Sequence, residues 1–375
     1  MTLRGKPGVR RGSDFGNLEI IEDGSVFIKD GNIACVGSTR RLENLKEARG
    51  ALQIPVHNCL VMPGFVDPYI KVSLRAPASR AGTVPKRRKL GDFYSDSVNL
   101  MRSCLQHGTL NVGINASSGI QSLGADLSVL RQLSRIGNNP VGISTTWSPE
   151  IDFLDMPSEK ILAAAFETVA RRKLAAGVEL RHGFSEQLLN AAGKDAMRLS
   201  LDWPGGTSDD LEQALHSSSA TSIRCHHKLS LSEQNVLAKT DAMAVFTAGG
   251  ALLDDQPGDC VRDLIKAGGA IALASGYDAQ YEPNFNMQLV LALAVRRLGL
   301  TIEQAIVAST INAAYAMNCG NQIGSLEPGK RAEVLVLNLS DYRELPRRLG
   351  VNHVALVIRE GNLVINRTRW RVGAA

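Results

Sequence analysis

The chain has 375 residues, 44% of them apolar and 21% charged, with 35 glycines. That length exceeds one small domain and suits a large barrel with a smaller satellite, and the balance is that of a globular protein, not a disordered or fibrous one. The formal charge of +5 is spread out, and the dense run Lys86-Arg87-Arg88-Lys89 has no interleaved aromatic residue, so nucleic acid is not an expected partner.

From the N-terminus, MTLRGKPGVRRG is basic but no apolar stretch follows it, which does not match a secretory signal. Residues 24–37, GSVFIKDGNIACVG, alternate on either side of Asp30-Gly31 and predict a β-hairpin. Short apolar strands then alternate with helical stretches. Strands are expected near 60–71, 109–115, 140–146, 177–182, 196–201, 221–225, 242–247 and 269–275. Helices are expected near 92–106, 124–135, 158–175, 184–192, 209–216, 231–239, 259–267, 284–298 and 301–317. The strand RAEVLVLNL (331–339) and a second hairpin, HVALVIREGNLVINR (353–367), turning at Glu360-Gly361, end the series.

This pattern predicts an α/β fold: a (β/α)8 TIM barrel over 61–322, beside a small β-sandwich-like domain built from both termini, 1–60 and 323–375. In such a barrel the chemistry belongs at the C-terminal ends of the strands. The six cysteines (Cys35, Cys59, Cys104, Cys225, Cys260, Cys319) contain no CxxC pair, which argues against a zinc ribbon or a disulfide framework. No apolar run approaches membrane-spanning length, and a cytoplasmic location is expected.

Four stretches carry a resemblance: VMPGFVDP (61–68), INAAYAM (311–317), GSLEPGKRAEVLVL (324–337) and LGVNHVALVIREGNLVINR (349–367). With them the chain resembles the amidohydrolase superfamily, and within it the imidazolonepropionases. The resemblance implies one divalent metal at the barrel mouth, held by two histidines spaced i, i+2 on the first strand, a histidine on strand five and an aspartate on strand eight. Such a metal lowers the pKa of a bound water, and a further histidine on strand six polarises the carbonyl under attack.

Carried over one position at a time, the first-strand pair falls on Tyr69 and Lys71, the strand-five histidine on Ser200 and the acid after it on Trp203. The strand-six histidine falls on Cys225 and the strand-eight aspartate on Gly276. Every ligand position is changed, so no metal or other cofactor is expected. The family's arginine for the substrate carboxylate has only Arg75 and Arg80 as counterparts, in RAPASRAG.

Three readings follow. The first is a pseudoenzyme that keeps the barrel and has a binding, regulatory or assembly role, with Lys71 filling the metal position and pairing with a carboxylate such as Asp278. The second is a metal-free enzyme acting on a small cyclic amide or related heterocycle through Lys71, Tyr69 or Cys225, with His227 able to share a strand side with Cys225. The third is a hydrolase with an atypical metal set drawn from His182, Cys225, His226, His227 and Asp278. Arg75, Arg80, Trp203 and Asp278 are the candidate substrate-binding residues. The resemblance also implies a homodimer, and the first reading adds a protein partner.

Overall fold

Strands and helices alternate through the middle of the chain in a computed structural model, which describes residues 1–73, 89–118, 120, 123–124, 127–128, 131, 141–149, 159–181, 197–218, 220–225, 228–247, 258–279 and 281–368. The strands in chain order are β1 (Gly24–Lys29), β2 (Asn32–Ser38), β3 (Leu60–Pro63), β4 (Phe65–Ser73), β5 (Thr109–Ser118), β6 (Gly142–Pro149), β7 (Gly177–Arg181) and β8 (Arg198–Trp203). They continue with β9 (Ser222–Cys225), β10 (Met243–Thr247), β11 (Ala270–Ala274), β12 (Tyr277–Asp278), β13 (Val334–Leu337), β14 (Val354–Arg359) and β15 (Asn362–Asn366).

The expected strand 60–71 is two strands. β3 pairs with β13 in a four-stranded antiparallel sheet, ordered β15-β14-β13-β3, whereas β4 begins a nine-stranded parallel sheet. Pro63 and Gly64 lie at the break, and the Gly64 N–H donates to the Glu333 carbonyl across it at 3.0 Å. The parallel sheet runs β11-β10-β9-β8-β7-β6-β5-β4-β12. The chain passes from β11 to β12 through Ser275-Gly276, and β12 lies on β4, so one short segment carries both edges of the curled sheet. This is a TIM-barrel-like α/β fold.

Side-chain alternation sorts the barrel wall. Leu199, Leu201 and Trp203 of β8, and Ile271 and Leu273 of β11, join the main core against the helices. The alternate residues Ala270, Ala272 and Ala274 pack instead with Met243, Val245, Ala313 and Ala314. The expected helix 301–317 is two helices, Ile302–Ala308 and Ile311–Ala316. At the break, the Ser309 and Thr310 hydroxyls donate back to the carbonyls of Ala305 and Ile306 at 2.8 and 2.6 Å, competing with continued helix. The second short helix is tied across by Asn312, whose side chain donates to the carbonyls of Ile271 and Arg10 at 2.9 and 3.0 Å. Arg198, 7% exposed, reaches from β8 to the Met317 carbonyl at 3.0 Å.

Both terminal hairpins form where expected. Asp30 and Gly31 (φ +50° and +77°), and Glu360 and Gly361 (φ +48° and +79°), make the paired positive-φ turns that suit two-residue hairpins. The two turns touch: a Cβ placed on Gly361 would stand 3.2 Å from the Gly31 Cα. Behind them Ile33 and Val36 of β2 share one apolar cluster with Leu326, Ala332 and Val334. The expected helices 124–135 and 184–192 lie mostly or wholly outside the described residues. Among the described residues no helix is long and apolar enough to cross a membrane.

Candidate functional site at the barrel mouth

β4 brings Tyr69 and Lys71 to one side, as expected, but by way of a register irregularity between Asp67 and Ile70. Asp67 is fully buried, and its Oδ1 accepts from the backbone N–H groups of Ser275 (3.0 Å) and Tyr69 (3.3 Å). It therefore joins the first strand to the segment between β11 and β12. Burial raises its carboxyl to about 6, against these hydrogen bonds.

Lys71 pairs in register with Asn115 of β5 and with Asp278 of β12, and its Nζ lies 3.1 Å from Asp278 Oδ2. Asp278 and Glu282 exchange backbone hydrogen bonds of 2.9 and 2.8 Å, which ties Glu282 back to β12. Burial and then the Asp278 charge raise the Glu282 carboxyl to about 7.

Arg224 of β9 forms the second charged group. Its Nη2 lies 3.1 Å from Glu179 Oε1 of β7 and 3.1 Å from Asp202 Oδ2 of β8. Asn115 Nδ2 donates to the same Glu179 oxygen at 2.9 Å, and the guanidinium carbon stands 4.1 Å from the centre of the Tyr69 ring. Arg181 Nε approaches Asp202 at 3.9 Å from a more exposed position. Burial alone would lower the Arg224 pKa, but Glu179, Tyr69 and Asp202 outweigh it and raise it. Burial and then the Glu179 charge push the Tyr69 phenol far up, so Tyr69 presents a neutral hydroxyl and a ring face to this cluster.

The other expected residues are placed differently. Ser200 is one step deeper than Asp202 on β8, its hydroxyl 2.9 Å from that of Ser222. Cys225 follows Arg224 and so faces the opposite way, into the helix-side core. Burial pushes its thiol far up, with Cys260 and Glu233 adding to the effect, so the group is a thiol and not a nucleophilic thiolate. Trp203 is fully buried, and its Nε1 donates to Glu233 Oε1 at 2.8 Å. The other Glu233 oxygen accepts from Ser230 N and Oγ in the capping box of the helix Leu231–Ala238. Trp203 is therefore a core anchor and does not line the mouth. Arg75, Arg80, His182, His226 and His227 lie outside the described residues.

Gly276, the expected counterpart of the strand-eight aspartate, has φ +71°, and a Cβ there would meet Thr247 Cβ at 2.7 Å. The backbone conformation favours glycine, and any side chain there would have to displace Thr247. The described residues at the mouth do not fit a divalent cation. Among them no three His, Cys, Asp or Glu side chains converge, and Glu179, Asp202 and Asp278 each lie within 3.1 Å of a cationic nitrogen.

Asn115, Glu179, Asp202, Arg224 and Glu282 were not among the sequence-derived candidates. A signal for four of them is present: GINAS, GVELR, RLSLDW and SIRC alternate apolar and polar residues within a barrel wall. Since the helices cover the apolar face, the polar face must point inward.

Comparison with known proteins agrees with this architecture. The amidohydrolase family profile matches residues 259–364. An imidazolonepropionase of Brevibacillus brevis is 26% identical over 401 aligned positions, covering 94% of this chain and 93% of its own. That of Parabacteroides distasonis is 28% identical, with 94% of each chain covered. In fold, the chain is similar to 5-methylcytosine deaminase from Klebsiella pneumoniae (TM-score 0.72, 15% identity, 92% and 95% of the two chains). It is also similar to the zinc-complexed atrazine chlorohydrolase of Arthrobacter aurescens TC1 (TM-score 0.72, 13% identity, 92% and 91%). Sequence and architecture concur in what the chain is similar to: amidohydrolases in its C-terminal part, and the imidazolonepropionases along most of its length.

Proposed function

We propose that this chain is an imidazolonepropionase-like homologue that works without the metal of its relatives, as a pseudoenzyme with a binding, regulatory or assembly role. The observation that carries the reading is the Lys71–Asp278 pair, 3.1 Å apart between the first and last strands of the barrel wall. An ammonium there supplies the positive charge that the resemblance assigns to a metal, and it engages the acidic side chain two residues past Gly276. The pairing needs no substrate to satisfy it.

The competing metal-free enzyme gains no support from Cys225 or Tyr69, whose burial keeps the thiol and the phenol protonated. In the preferred reading residues 1–60 and 323–375 act as one β-domain on the barrel 61–322, and the protein functions as a homodimer or with a protein partner. Light scattering and co-purification report on the latter.

The deciding experiment is elemental analysis of protein purified without chelators, together with assay of imidazolonepropionate hydrolysis before and after adding Zn2+, Fe2+ or Mn2+. The expected result is metal far below one equivalent and no turnover under any condition. Near-stoichiometric metal, or turnover above the buffer rate, overturns the reading.

A further inference from the structure

Lys71 and Asp278 account for one charge pair at the mouth, but Arg224 answers to different carboxylates. Its single nitrogen Nη2 is 3.1 Å from both Glu179 Oε1 and Asp202 Oδ2, so two acidic side chains from neighbouring strands converge on one point. Glu179 is 4% exposed and Asp202 16% exposed at the side chain. Two carboxylates this far from water repel each other unless a cation stands between them. Asn115 holds the Glu179 oxygen from a third strand, as an outer hydrogen bond orients a metal-binding carboxylate, and the Tyr69 ring covers the guanidinium. Oxygen donors of this kind serve a guanidinium or a hard divalent cation, and one occupant excludes the other.

We propose that Glu179 and Asp202 form a cation site which the chain fills with its own Arg224, and that this tethered guanidinium keeps divalent metal out of the barrel centre. The inference rests on the metal-independent reading above and adds to it a second site, whose oxygen ligands, Glu179 on β7 and Asp202 on β8, are not the positions the resemblance points to. Lys71 and Asp278 are a separate pair and do not enter it.

The test titrates Mn2+ alone, followed by the electron paramagnetic resonance signal of the free ion, into wild type, R224A, R224K and the triple variant R224A/E179Q/D202N. R224A is expected to bind Mn2+ at least about tenfold more tightly than wild type. R224K, which keeps a tethered cation, should match wild type, and the triple variant should lose the gain. A folded R224A whose titration coincides with wild type, or a gain that survives in the triple variant, overturns the proposal. Where R224A fails to fold alone, recovery of its native circular dichroism on adding Mn2+ supports the site. Failure to recover, with the triple variant folded, overturns it. Metal in wild type as purified separates the two readings: its presence defeats the metal-independent reading, whereas metal-free wild type with an unresponsive R224A defeats only this one.

Discussion

Trp203 and Asp202 are neighbours on β8 that face opposite sides of the barrel wall, and their side chains have correspondingly different tasks. Trp203 shares Glu233 with the start of the helix Leu231–Ala238, so one buried carboxylate serves both an indole N–H and a capping box. W203F removes the donor and leaves Glu233 Oε1 short of a buried partner, at a cost of about 1–3 kcal/mol. Denaturant unfolding should show that loss, while the Arg224–Asp202 contact on the other face persists. A W203F protein as stable as wild type would contradict the assigned role. Cys225 should resist thiol reagents in the native state and react only on unfolding, because burial holds it as the thiol. Sequence reading found the Lys71–Asp278 pair, since both residues flank positions fixed by well-matched segments. It missed Arg224, because which member of SIRC faces inward depends on cross-strand partners: Ser222 meets Ser200, and Arg224 meets Asp202. Those contacts join residues far apart in sequence, and the adjoining Cys225, which faces the helix-side core, drew the chemical argument away from Arg224.

At the scale of elements, β4 carries a register irregularity between Asp67 and Ile70, and Gly113 on β5 packs tightly against it. A Cβ on Gly113 would stand 2.3 Å from the Pro68 carbonyl oxygen, which is backbone and cannot swing away. G113A should therefore distort β4 there, with a cost of about 1–3 kcal/mol or more. Because the same backbone presents Tyr69 to Arg224, near-ultraviolet circular dichroism should change along with stability. An unaltered spectrum with unaltered stability would show that β4 is not shaped by this contact. Strand order and most strand positions were legible from the short apolar runs and their helical spacers. The division of 60–71 at Gly64, and of 301–317 at Ser309-Thr310, was not. Each break has a local sign, Pro63-Gly64 in one case and the back-bonding Ser309 and Thr310 hydroxyls in the other, but the path taken after it is set by a tertiary partner, β13 and the Ile271 carbonyl respectively.

For the whole molecule, buried acids set the dependence of stability on pH. Burial raises Asp67 to about 6, and Glu282 and Glu333 to about 7. Each of these carboxyls holds its proton in the folded state over a range where the unfolded chain has released it. Their stabilisation is complete below the unfolded values, 3.8 for aspartate and 4.5 for glutamate, and is lost as pH rises through 6 to 7. The Met1 ammonium, lowered by burial from 8.0 to about 6, works the other way: its contribution is present above 8 and lost as pH falls through 6. Opposition from Met1 is confined to the upper part of the range, so the melting temperature should rise as pH falls from 7 to 5. E333Q should flatten that slope. Scanning calorimetry at constant ionic strength measures both effects, and a melting temperature that falls toward pH 5 would refute the assignment.

The contact between the two hairpin turns has a consequence for how the chain is made. Residues 24–38 leave the ribosome early, yet the apolar side chains of Ile33 and Val36 find their partner Val334 only when synthesis has passed the entire barrel, and Gly31 meets Gly361 later still. At about 5–20 residues per second, the first hairpin waits on the order of tens of seconds. Throughout that interval its strand edges are open templates for pairing with another chain. A nascent protein stalled between residues 274 and 334 would carry every barrel strand through β11 and still lack the elements that cover its beginning.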